Sequence, residues 1–366
     1  MQEHSFQLGA GVLNCAVGPA NGPPLVLLHG VTRCWRDFNA LLPFLTEHWH
    51  VFAPDHRGHG KSDRCAADHG QARLFNTGAE PPLPVRNERG EGRGEGNPAA
   101  DTPAPLQARR PSSPQPSPPS EGGEGEETGP LNTSIRPGNT APYRVADFAA
   151  DAVALLEQFV PAPAVLIGHS LGALVAALVA AKLHEHVRAL VLEDPPGTTL
   201  AQDIRRSPFH LQFTNTERLL ATARDAEGLT RELAGMQVQR PGDGALVRFS
   251  EIRDLATIRF GAECLLQMDP AVLRTLLEGR WLEGLDWFGS LRQIECPTLL
   301  LRADPACGGM LDQGEAERIA SSIHRCARVD LPGVAHSIHS TQPDRMLELM
   351  TNFLKANELP SPRITP

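Results

Sequence analysis

The stretch Ala164-Val-Leu-Ile-Gly-His-Ser-Leu-Gly-Ala-Leu174 sets a run of branched apolar residues against an Ala/Leu/Val run that reaches Leu183, with one serine between two glycines at the junction. The first run is short and unbroken, as a strand buried on both faces must be, and the second has the composition of a helix. A chain that passes from strand to helix in so few residues must turn sharply. Glycines at 168 and 172 keep side chains out of the places where the two backbones close on one another. Ser170 in such a turn has two available roles. It can cap the helix, or it can be pushed on strained backbone angles into the cleft beyond the sheet. The first helical turn aims backbone N–H groups at that cleft, where the negative charge of an acyl-transfer intermediate would develop, and this favours a nucleophile.

The same rhythm recurs along the chain. Residues 24–28, 50–53, 189–192 and 298–301 are short apolar runs closed by turn chemistry, while 37–45, 145–159 and 171–183 carry apolar residues at helical spacing. Alternating strands and helices predict an α/β fold: a doubly wound, mostly parallel sheet with right-handed crossovers. Ligands of such sheets sit at the carboxyl ends of the strands, which is where Ser170 falls.

One long segment breaks the pattern. From 65 to 142 the chain includes LPVRNERGEGRGEG and PAPLQARRPSSPQPSPPSEGGEGEETG, with prolines throughout and no apolar period that could bury a face. Such a composition is expected to be disordered. Joining Asp63 to Tyr143 gives DHRGHGKSD followed by YRVADFAADAVALLEQ, a strand-end loop running into an amphipathic helix of one fold. The segment is therefore an insertion within a domain, not a linker between two. Glu-Gly codons read on the opposite strand in a shifted frame yield Pro-Ser-Pro, so its two halves read as a translated inverted repeat.

Composition narrows the partners. A net charge of −9 gives no basic field for a phosphate backbone, so no nucleic acid is expected. The start, MQEHSFQLGAGVLNCAVG, lacks a basic region followed by a continuous apolar one, and the longest apolar runs are interrupted; the expectation is a cytoplasmic protein with no membrane partner. Seven scattered cysteines (15, 34, 65, 264, 296, 307 and 326) suggest neither a disulfide framework nor metal spacing. His184 and His186 flank Glu185 near a helix end and read as solvated residues. The expected partner is a small-molecule substrate, and the sequence leaves the oligomeric state open.

Other pieces of a site follow the strands. In Leu28-His29-Gly30-Val31-Thr32 a glycine allows the backbone close to a substrate carbonyl, and the Val31 N–H would join that of Leu171 as an oxyanion hole. His29, and the loop Asp55-His-Arg-Gly-His-Gly-Lys-Ser62, suit the tying of loops together. A serine hydroxyl needs a base. Val329-Asp-Leu-Pro-Gly-Val-Ala-His336 is a short strand, a turn and a histidine before a final helix at 344–354, so His336 is the preferred base; His339 reads as a surface neighbour.

Together LHGV, DHRGHGKS, GHSLG and LPGVAH, in this order, resemble the α/β-hydrolase-fold superfamily over nearly the whole chain except the insertion. The resemblance implies a core of residues 1–64, 143–195 and 291–358, the insertion at 65–142, a helical lid at 196–290 and a tail at 359–366. It implies lid helices near 216–224, 252–267 and 271–277, with Trp281, Trp287, Phe209, Phe213, Phe260 and Met268 available to line an apolar pocket or pack the lid. Serine at 170 separates the chain from the dehalogenase and epoxide hydrolase branches, which use aspartate there. The implied activity is a serine hydrolase acting on an ester or related activated acyl bond of a small, largely apolar molecule. Lactone hydrolysis, carbon–carbon bond hydrolysis and cofactor-free perhydrolysis are alternatives on the same serine, and a non-catalytic ligand-binding member of the fold is the alternative from another class. Neither cofactor nor metal is expected. The third triad member stays open. The family's common acid would fall near Ala306, with Asp304 about two residues early, and Asp194 closes the preceding strand where some members carry theirs; Asp312 and Glu193 are weaker candidates.

Overall fold

A computed structural model describes residues 1–8, 11–64 and 143–360; the insertion expected at 65–142 and the end of the tail lie outside the described residues. Among the described residues ten strands follow in chain order: β1 (Gln2–Leu8), β2 (Gly11–Val17), β3 (Pro24–Leu28), β4 (His50–Pro54), β5 (Ala164–His169), β6 (Val187–Glu193), β7 (Gln237–Gln239), β8 (Leu246–Arg248), β9 (Thr298–Ala303) and β10 (Cys326–Leu331). Eight form one sheet in the order β1-β2-β4-β3-β5-β6-β9-β10, and β7 and β8 form a separate hairpin. The sheet is parallel from β4 to β10, with β1 and β2 antiparallel at one edge.

Because side chains alternate across a strand, each parallel strand feeds two cores. Val26, Leu166, Leu190 and Leu300 pack on one face in a cluster that includes residues of α2 (Val145–Phe159) and α3 (Leu171–Lys182). Leu25, Val165, Val191 and Leu299 pack on the other against α1 (Leu42–His48) and the terminal helix Pro343–Ala356. Burial on both faces is why these strands read as unbroken apolar runs.

Between β6 and β9 come α4 (Thr198–Gln202), α5 (His210–Leu220), α6 (Ala226–Gly235), α7 (Leu255–Gln267), α8 (Pro270–Leu277) and α9 (Trp287–Leu291). Asp254 and Asp269 set where α7 and α8 begin, accepting from Thr257 N and Ala271 N at 2.9 Å each. After β9 come α10 (Gln313–Ser322), α11 (Ile338–Thr341) and α12 (Pro343–Ala356).

Several expectations shift. The helix expected at 37–45 is a 3-10 turn at Trp35–Ala40 followed by α1, because Pro43 has no N–H with which to continue a helix from the preceding turn. The β1 strand, QEHSFQL, is mostly exposed and has no apolar period; backbone pairing with β2 makes it a strand. The scattered cysteines include one close pair, Cys34 and Cys264, whose sulfurs stand 3.6 Å apart as free thiols.

The chain on either side of the insertion is sewn together. Arg57 pairs with Asp151 of α2, Gly58 N donates to Asp63 O at 2.9 Å, and Asp269 N donates to Gly58 O at 2.7 Å. Tyr143, fully buried, donates its hydroxyl to Asp269 at 2.7 Å.

Candidate active site

Ser170 joins β5 to α3 with φ 53° and ψ −119°. Its N–H donates to Glu193 O at 3.0 Å, pinning the turn to the end of β6. The turn is so close to β3 that a Cβ on Gly172 would stand 2.0 Å from Leu28 O, and one on Gly30 would stand 3.2 Å from Ser170 Cβ. The loop carrying Gly30 and Val31 therefore lies directly against the serine. Of the four described non-glycine residues at positive φ, three (Thr32, Ser170 and Asp194) close neighbouring strands around this spot. Each costs roughly 1–3 kcal/mol of backbone strain, and clustering of that kind is typical of functional sites.

His336, in the turn after β10, meets Asp194 through Nδ1···Oδ2 at 2.6 Å. Asp194 is fully buried and also accepts from Ala303 N at 3.1 Å and Met310 N at 2.8 Å. With Nδ1–H donating to this carboxylate, His336 keeps Nε2 as an acceptor. The His336 ring packs 4.6 Å from that of His169, the residue before Ser170.

Asp304 is elsewhere. The loop after β9 turns it toward Gly333, and it accepts from Gly333 N at 2.8 Å and Ala306 N at 2.9 Å. The Gly333 bond first, then that from Ala306, holds its pKa below the ordinary carboxylate value. Its partners are the turn before His336 and its own loop, so of the two aspartates left open it is Asp194, not Asp304, that meets His336. Asp312 caps α10 through Glu315 N at 2.9 Å.

His339, expected at the surface, is fully buried, because α11 folds inward immediately after the His336 turn. Both its N–H and its Nδ1 meet the Glu193 carboxylate at 2.9 Å, and its Nε2 stands 3.4 Å from Asp37. Burial alone would drive off its proton; Glu193 and then Asp37 outweigh that and hold the imidazolium up to about 10. His169 lies 3.7 Å from Asp37, but burial, then His336 and His339, push it well below the ordinary histidine value, so it stays neutral. Candidate ligand atoms of Asp37, His169 and His339 lie within 4.8 Å of one another, as at a metal centre. When protonated, His339 supplies a cation between the Glu193 and Asp37 carboxylates.

The loop-tying residues are where their chemistry suggested. His56 N donates to His29 Nε2 at 3.0 Å and His29 Nδ1 meets Gly30 O at 2.8 Å, which fixes the oxyanion loop; burial drops the His29 pKa to about 4. Asp55 accepts from Trp35 N, Asn14 Nδ2 and Lys61 N.

A cavity of about 290 Å³ opens over Ser170, at the small end for ligand sites. Val31, Ser170 and His336 form its floor, and Phe209 and Phe213 from the α4–α9 excursion form part of its wall. Trp281, Trp287 and Met268 instead pack the excursion's core, and the Phe260 ring lies under Arg33 and Arg36 at 5.9 and 5.5 Å. Sequence reasoning missed Arg33 and Arg253, which also line the cavity. For Arg33 a signal existed: Arg33 and Asp37 stand four apart just after the oxyanion loop, and they pair at 3.4 Å.

Comparison with known proteins bears on this arrangement. The family described as alpha/beta hydrolase fold matches residues 23–238. Similar solved structures include a hydrolase from Pseudomonas aeruginosa (18% identity, 96% of this chain and 98% of that one, TM-score 0.57). An N-formylmaleamic acid deformylase from Pseudomonas putida is also similar (15%, 95% and 100%, TM-score 0.59), as is an enol-lactonase from Burkholderia xenovorans (14%, 96% and 100%, TM-score 0.55). A soluble epoxide hydrolase of Corynebacterium is 44% identical, but over 48 residues; the match spans 13% of this chain and 17% of that protein. No described helix is long and apolar enough to cross a membrane. With the family's match covering more than half the chain, and its sheet, elbow and cleft all present, the chain belongs to the α/β-hydrolase fold family.

Proposed function

We propose that the protein hydrolyses an ester or a related activated acyl bond of a small molecule by nucleophilic catalysis. Ser170 Oγ attacks the acyl carbon while His336 Nε2 takes its proton; the Val31 and Leu171 N–H groups hold the oxyanion that forms. His336 returns the proton to the leaving group, and water repeats the sequence on the acyl-serine. Asp194 keeps the imidazole in the right tautomer and stabilises its cation without itself being protonated. The observation that carries this reading is the 2.6 Å contact of His336 with buried Asp194, in the cavity that Ser170 lines from a strained elbow. Serine at 170 favours acyl transfer over epoxide opening despite the short epoxide hydrolase match. The α4–α9 excursion serves in this reading as the lid that keeps water from the acyl-serine.

A fluorophosphonate probe tests it. Wild-type protein labels at one site, and Ser170→Ala abolishes labelling. An unlabelled wild type, or equal labelling of Ser170→Ala, leaves the non-catalytic ligand-binding reading in its place.

A further inference from the structure

The residues that line the cavity over an acyl-transfer centre decide which acyl compounds enter. Here they include two arginines. Arg33 follows the oxyanion loop and Arg253 precedes α7, and both line the cavity with Ser170 and His336. Arg33 shares its charge with Asp37 at 3.4 Å. Arg253 has no carboxylate within 4.0 Å of its guanidinium among the described residues; the one hydrogen bond of its side chain there is from Nη1 to Ile252 O at 2.9 Å. The cavity also holds Asp254, but that carboxylate is occupied at the head of α7 by Thr257 N at 2.9 Å and Thr257 Oγ1 at 2.6 Å. Burial first, and then Arg33, lower the Arg253 pKa, and the charge of the neighbouring Asp254 only partly offsets them.

An arginine keeps its charge under these conditions, and four of its five N–H donors are left for a ligand. A planar carboxylate satisfies two of them at once. Resting on the hydrolase reading, we infer that the substrate carries a carboxylate, held by Arg253 with Arg33 beside it, so that the enzyme acts on small acidic acyl compounds and not on the largely apolar ones the sequence suggested.

Two kinds of measurement on the full chain separate this from the hydrolase reading. The first is turnover of matched esters: mono-p-nitrophenyl glutarate against p-nitrophenyl pentanoate, and 3-acetoxybenzoate against phenyl acetate, which place the carboxylate on the acyl or the alcohol side. At least one acidic ester exceeds its neutral partner in kcat/KM by about ten- to a hundredfold, as hydrogen bonds to a charged group allow. Arg253→Gln collapses that ratio through KM, and Arg253→Glu inverts it. The second is calorimetric titration with glutarate, which needs no chemistry; binding weakens about tenfold or more in Arg253→Gln. Ser170 labelling with no acidic preference in either pair, or a ratio unchanged by Arg253→Gln, overturns the anion site and leaves the hydrolase standing. Glutarate binding that depends on Arg253, with Ser170 unlabelled, overturns the hydrolase and leaves the anion site.

Discussion

Asp194 and Asp304 stand at the ends of adjacent strands and spend their oxygens differently. Asp194 accepts from Ala303 N, Met310 N and His336 Nδ1, while Asp304 accepts from Ala306 N and Gly333 N. If Asp194 orients His336 in catalysis, Asp194→Asn lowers kcat on an activated ester by about 10⁴, since an amide cannot favour the imidazolium or fix its tautomer. Asp304→Asn keeps a side-chain oxygen for its turn and costs less than about tenfold. Steady-state kinetics of the two variants check the assignment, and a larger loss in Asp304→Asn overturns it. Ser170 and His336 were legible because each sits in a local frame that its neighbours define: strand, glycine and helix for one, strand, Pro-Gly turn and helix for the other. Which aspartate meets His336 was not legible. Both aspartates close parallel strands, and the choice depends on how the loop at 304–309 turns, which is set by contacts with Gly333 and Val334 far along the chain.

Between β6 and α11 the same logic works at the scale of elements. Adjacent acids at the end of β6 hold two histidines of one turn, Glu193 gripping His339 and Asp194 gripping His336. The Glu193–His339 contact fixes where α11 starts, and with it the path of the His336 turn. Removing one partner of a buried pair costs about 3–5 kcal/mol, so Glu193→Gln lowers the urea midpoint accordingly. The pH dependence has a definite sign. His339 is raised from 6.5 to about 10, so the stability it adds is whole below pH 6.5 and is lost as the pH rises toward about 10. Asp37 is held below its ordinary 3.8, burial being outweighed by His339 and then Arg33, so its share is present above that pH and is lost in acid. The gap in stability between wild type and Glu193→Gln therefore narrows as the pH rises from 6.5 toward 10. A gap constant from pH 6.5 to 10 removes the protonated His339. None of this pairing could be read in advance, because His339 looks polar and local while its partners lie on β6 and in the turn after β3. The parallel strands were legible from their unbroken apolar runs, whereas exposed β1 carried no such signal.

For the whole molecule, the decisive question is how a fold tolerates residues 65–142 in its middle. The described chain on either side answers it: Gly58 bonds to Asp63 on one flank, a Cβ on Gly58 would stand 2.5 Å from the Tyr143 ring on the other, and Arg57 pairs with Asp151 beyond it. Asp63 and Tyr143 thus converge on one glycine, and Tyr143 is buried with its hydroxyl on Asp269. A short connection suffices to join them. Deleting residues 66–141 shortens the closed loop, and closure entropy changes by only about 0.6 kcal/mol for each halving of loop length, in the stabilising direction. The core contacts on both flanks remain, so the deleted protein is expected to melt at the wild-type temperature or a few degrees above it and to label with the fluorophosphonate probe at an equal rate. Thermal unfolding and labelling of the two proteins side by side check this. A melting temperature more than about 5 °C lower, or labelling lost in a protein that still folds, means that residues within 66–141 support the sheet or the cavity over Ser170, and that the insertion belongs to the working enzyme.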